Sequence, residues 1–117
     1  FYDCTSLREI VIPASVQYMG DAVFNGCKSL RSAVFAPTSN VELGRFMFNG
    51  CSDLRFVTLP HNLRSIPAGF FYGCTSLAHL QIPVSVTVIG MNALCGSGLR
   101  SVTISENVHQ IDREAFG

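Results

Sequence analysis

The chain is 117 residues long at 12.7 kDa, enough for one domain and too little for a catalytic domain beside a regulatory one. Eight basic and eight acidic residues cancel to a formal net charge of +0, so the whole-molecule field behind non-specific nucleic-acid or anionic-membrane binding is missing. Hydrophobic residues make up 48% and charged residues only 14%, yet apolar runs such as Ile10–Ile12 and Phe46–Phe48 fall far short of the roughly 18 residues that cross a bilayer.

Four cysteines, Cys4, Cys27, Cys51 and Cys74, recur at spacings of 23, 24 and 23, which makes an internal repeat the primary signal. The first unit opens with Phe1, Cys4 and Leu7, continues through Ile10, Ile12 and Pro13, and closes on Val16, Met19 and Gly20. The second carries Phe24, Cys27 and Leu30, then Ala33 and Phe35, with Ala36 inserted before Pro37 and Gly44 at its end. In the third come Phe48, Cys51, Leu54, Val57, Leu59, Pro60, Leu63 and Ile66. The fourth repeats this as Phe71, Cys74, Leu77, Leu80, Ile82, Pro83, Val86, Ile89 and Gly90. The last departs: Leu94 takes the Phe position, Ser97 the cysteine position, and one residue is lost before Leu99, Val102, Ile104 and Ser105, after which Val108 and Ile111 follow. Cys95 falls out of column, aligning with Asn25, Asn49 and Tyr72.

Each L-x-x-I-x-I stretch alternates with period two, as a strand with one buried face does, and the proline after it stops the ladder. The sequence therefore predicts one short strand per unit. The Phe24–Gly26, Phe48–Gly50 and Phe71–Gly73 steps predict a single helical or 3₁₀ turn closed by a glycine at positive φ. One such coil cannot bury its own Leu, Ile and Phe, so successive coils must stack with strands parallel at about 4.8 Å.

The pattern L-x-x-I-x-I-P-x-x-V-x-x-I-G-x-x-x-F-x-x-C-x-x-L resembles the 23-residue leucine-rich repeat of the BspA-like class across the whole chain. That resemblance implies a right-handed leucine-rich-repeat solenoid of about five stacked repeats, with a parallel sheet on the concave face. It also implies adhesion or protein binding rather than catalysis, in surface and secreted proteins of host-associated bacteria and in protist families. Residues 1–117 form a single array, expected to be a segment of a longer solenoid without its caps, whose ends further repeats or a partner chain would cover. Compartment is not encoded in these residues; the resemblance favours an extracellular or cell-surface setting, with an intracellular assembly as the alternative.

No constellation points to catalysis, a metal or a cofactor. Four cysteines stack in one column, where neighbouring Cβ atoms stand nearer 5 Å than the roughly 3.8 Å of a disulfide. They read as small buried thiols, with Cys95 the most accessible. His61, His79 and His109 share no register, and Cys95–Gly98 lacks the lysine of a phosphate loop.

The outward positions beside each strand are more telling. Arg8, Arg31, Arg55 and Arg100 occupy one column, against the single acid Glu9, and Phe56, His79 and Gln81 lie beside them. These seven residues are the candidate binding site, suited to a protein partner presenting an acidic segment, or to an acidic glycan, and not to nucleic acid. The rival expectation is a structural or scaffold subunit within a larger assembly.

Overall fold

The computed structural model describes residues 2–117; Phe1, the first member of the phenylalanine column, lies outside the described residues. Ten strands follow one another: β1 (Glu9–Ile12), β2 (Tyr18–Met19), β3 (Ser32–Phe35), β4 (Glu42–Leu43), β5 (Phe56–Thr58), β6 (Ser65–Ile66), β7 (His79–Gln81), β8 (Val88–Ile89), β9 (Ser101–Thr103) and β10 (Gln110–Ile111). All strand pairs are parallel and join elements one coil apart, such as Glu9 with Ser32 and Ser32 with Phe56. The chain is thus a mostly β solenoid, in which four turns carry it from β1 to β9.

Each coil holds two strands where one was predicted. The second, at Tyr18–Met19, Ser65–Ile66 and their equivalents, is only two residues long, too short for an alternation to register as a strand. The expected helical or 3₁₀ corner is also corrected, because no helix forms among the described residues. The corner is a run of turns closed by i to i+3 bonds, as in Cys51 N–H to Phe48 O (3.0 Å) and Leu54 N–H to Cys51 O (3.1 Å).

Glycine does what the sequence requires of it at Gly26, Gly50, Gly73 and Gly96, whose φ values of 76, 74, 75 and 70° lie in the left-handed region. Four residues earlier runs a second left-handed column of Ala22, Phe46, Gly69, Asn92 and Glu114, at φ 56 to 62°. Only one of its five members is glycine, which is why no sequence signal marked it.

Neither strand series forms one continuous sheet. The first divides into β1-β3-β5 and β7-β9, the second into β2-β4 and β6-β8-β10. Part of the second break has a local cause. At the end of each short strand an N–H reaches the preceding coil: Gly44 to Met19 O (2.9 Å), Gly90 to Ile66 O (2.8 Å), Asp112 to Ile89 O (2.8 Å). In the third coil that position is Pro67, which has no N–H to donate, and β4 and β6 do not pair. Asp112 shows that a side chain alone is tolerated there.

The core runs along the stack in ladders. Phe48 is fully buried, stacked parallel between Phe24 (5.5 Å) and Phe71 (5.7 Å), and met edge-on by Phe70 (5.5 Å) and Phe35 (6.4 Å). Leu30, Leu54 and Leu77 are likewise fully buried, each contributing about 1.5–3 kcal/mol of transfer free energy. Toward the last coil burial thins: Leu99 and Val102 are half-buried, and Ile111 and Phe116 are exposed.

Candidate functional site

The outward face of β1, β3, β5, β7 and β9 is built by the strand pleat. Inward side chains Ala33, Leu59, Leu80 and Ile82 are buried, so their neighbours along the strand must point outward. Phe56 is 70% exposed and Val11 69% exposed; with half-buried Val34 they form an apolar patch on the three-stranded sheet.

The arginines lie one residue before each strand. Arg31 N–H bonds Arg8 O at 2.7 Å, and Arg55 N–H bonds Arg31 O at 2.9 Å, so three guanidinium-bearing residues occupy successive coils. Like charges about 4.8 Å apart repel by roughly 1 kcal/mol per pair even in water. Glu9 is not the sole relief, contrary to the sequence expectation: Arg31 Nε stands 4.0 Å from Asp53 Oδ2. Asp53 sits one coil on and two residues before Arg55, in the column held by Ser6, Ser29 and Ser76 in three other coils and by Gly98 in the last. The acid in a serine column is the signal that could have identified it. Arg8, Arg55 and Arg100 form no ion pair among the described residues.

The seven candidate residues are not on one continuous sheet. Arg8, Arg31, Arg55 and Phe56 belong to β1-β3-β5, whereas His79, Gln81 and Arg100 belong to β7-β9. A cavity of about 120 Å³ marks the seam, lined by Thr58, His61 and Gln81 among others. His79 Nδ1 is 2.9 Å from Ser101 Oγ, but no carboxylate among the described residues touches that imidazole, so the pair lacks the third group that orients a catalytic base. No three His, Cys, Asp or Glu side chains converge among the described residues.

The cysteine column belongs to the core. Cys27, Cys51 and Cys74 are buried and reduced; the Cys51 thiol donates to Phe24 O (3.1 Å) and the Cys74 thiol to Phe48 O (3.2 Å), each a carbonyl of the preceding coil. Burial pushes the Cys51 thiol up to about 12, with the neighbouring Cys27 adding to the effect. Cys74 is raised well above the ordinary thiol value for the same reasons, burial first and then Cys51. Cys95 is half-buried, and so is Cys4, expected inside the column.

Three crystal structures resemble this architecture. A leucine-rich repeat protein from Bacteroides ovatus superposes with a TM-score of 0.87 at 29% identity, over 93% of this chain and 30% of its own. One from T. pallidum gives 0.86 at 31% identity, over 94% of this chain and 54% of its own. A leucine-rich cell surface protein from Faecalibacterium prausnitzii gives 0.64 at 28% identity, over 94% of this chain and 36% of its own. The present chain thus spans between about a third and just over half of each relative. No curated protein matches it. The BspA type leucine-rich repeat region matches residues 1–117 in six copies. With its phenylalanine, cysteine and leucine ladders stacked coil on coil, the chain belongs to the BspA-type leucine-rich repeat family.

Proposed function

We propose that this repeat array is a recognition module that binds an acidic protein segment across its outward strand face, in an adhesive or cell-surface setting. The observation that carries the reading is Phe56. A phenylalanine whose side chain is 70% exposed at the third strand of the sheet adds little to the core, and an aromatic beside arginines is the composition of an interface anchor. Arg8 and Arg55, unpaired among the described residues, supply charge that steers an acidic partner. His79 and Gln81 extend the footprint beyond the seam, and Arg100 closes it. Similarity to a cell surface protein supports the setting. Repeat arrays serve both protein interaction and scaffolding, and a scaffold subunit would leave this face without a selective ligand.

The test selects extended peptides from a displayed library on the wild-type chain, then measures them against a Phe56→Ala, Arg31→Ala, Arg55→Ala variant that retains its circular dichroism. Acidic sequences should dominate the selection and lose binding to the variant, with Phe56→Ala acting through off-rate and the arginine changes through on-rate and salt dependence. Selected peptides that bind both chains equally would reject the strand face as the site.

A further inference from the structure

The break between β4 and β6 opens a second surface, away from the strand face. We propose that the polar groove over this break binds a short neutral oligosaccharide.

Two departures from the repeat meet at this one junction. Pro67 removes one of the hydrogen bonds that join the other short strands. The coil carrying the Ala36 insertion places ten residues between the starts of β3 and β4, where β1 and β2, like β5 and β6, are nine apart. The resulting groove has a volume of about 770 Å³, within the roughly 300–1,000 Å³ range of small-molecule sites.

Its lining holds Asn40, Glu42, Asn62, Arg64 and Ser65. Some of this polarity is committed: Asn62 Nδ2 donates to Asn40 Oδ1 at 3.2 Å, and the Ser85 and Thr87 hydroxyls at the rim donate to backbone carbonyls. The Glu42 carboxylate, the Arg64 guanidinium and the Ser65 hydroxyl make no hydrogen bond among the described residues. Glu42 and Arg64 line the same groove without forming an ion pair. The groove therefore offers strong acceptors and strong donors within one lining, with opposite formal charges that offset.

That combination selects the ligand class. An anion drawn to Arg64 meets Glu42, and a cation drawn to Glu42 meets Arg64. A neutral sugar carries hydroxyls that each donate and accept, and adjacent hydroxyls can satisfy the planar carboxylate and the planar guanidinium through charge-assisted bonds. A peptide strand fits less well, because the slot is closed at both ends by His61 N–H to Pro37 O (3.2 Å) and Phe46 N–H to Ala68 O (3.0 Å), so nothing can thread between the coils.

The experiment titrates the isotope-labelled chain with maltotriose, cellotriose and mannotriose and follows amide resonances. At least one should give saturable shifts confined to residues 39–43 and 62–65 at millimolar concentration or below. Glu42→Gln and Arg64→Gln should each weaken it by about tenfold or more, having lost a charge-assisted bond. Phe56→Ala, on the other face, should leave it unchanged, which separates this site from the strand-face reading. The proposal is overturned if none of the three sugars gives saturable shifts, if shifts survive the Glu42→Gln, Arg64→Gln pair, or if a glutamate-rich or lysine-rich peptide perturbs the groove where the sugars do not.

Discussion

The corner of the central coils and the corner of the last coil are variants of one motif with different physical content. In the centre, Phe48 is enclosed by four aromatic rings, and Cys51 gives its thiol proton to Phe24 O. In the last coil Leu94 replaces the ring, Ser97 replaces the thiol, and a residue is deleted before Leu99. Leu94 N–H still reaches Ala115 O at 2.7 Å, so the backbone path is kept. The comparison separates two kinds of stabilisation. Backbone geometry is local and survives residue replacement, whereas ladder packing depends on matched neighbours on both sides.

The sharpest test of that separation is Phe48→Ala, which should cost about 3–5 kcal/mol in urea denaturation by removing the hub of the ring cluster. Leu94→Ala should cost less, since Leu94 between Phe71 and Phe116 is not itself a ring and has no ring–ring contact to lose; equal costs would show that the aromatic ladder adds nothing beyond area. Next in size is Leu54→Ala, fully buried, at about 2–5 kcal/mol. Half-buried Leu99 should lose clearly less by the same change, and parity between the two sites would break the picture of neighbour-dependent burial.

The thiols extend the comparison to pH. Native Cys51 holds its proton to about pH 12 whereas an ordinary thiol ionises near 9.0. The unfolded state therefore loses that proton first, and the contribution, complete below pH 9, falls by up to about 1.4 kcal/mol per pH unit as pH rises toward the native value. A Cys51→Ala variant should show a shallower alkaline decline. Brief alkylation read by mass spectrometry should label Cys95 and Cys4 ahead of Cys51 and Cys74, and label on Cys51 first would contradict the burial.

Gly50→Ala and Gly96→Ala test the local term. Their φ values are 74 and 70°, and a Cβ would have no heavy atom nearer than 4.0 and 3.5 Å, so each should cost only the left-handed penalty of about 1–2 kcal/mol. Unlike the ladder residues, the two should agree wherever they lie in the stack. The smallest effect is expected for Phe56→Ala, Arg31→Ala and Arg55→Ala, which should stay within about 0.5 kcal/mol of wild type.

The sequence by itself determined the coil period, the phenylalanine, cysteine and leucine columns of the core, and the outward arginine column. A stacked repeat turns residue spacing directly into spatial alignment. Positive φ at Gly26, Gly50 and Gly73 was legible for the same reason, because only glycine enters that region freely. The tertiary structure decided the rest. Two-residue strands such as Ser65–Ile66 are too short to carry a period, and exist only because a neighbouring coil supplies hydrogen-bond partners. Arg31 meets Asp53 across coils, a contact between unlike columns: the acid in a serine column marks the residue, but only the stack shows which arginine it meets. Pro67 stands where other coils place glycine or aspartate, but its consequence, an open groove between β4 and β6, depends on which carbonyl of the preceding coil goes unmet. Sequence periodicity specifies what is equivalent from coil to coil, while the pairing of unlike positions is set by the three-dimensional stack.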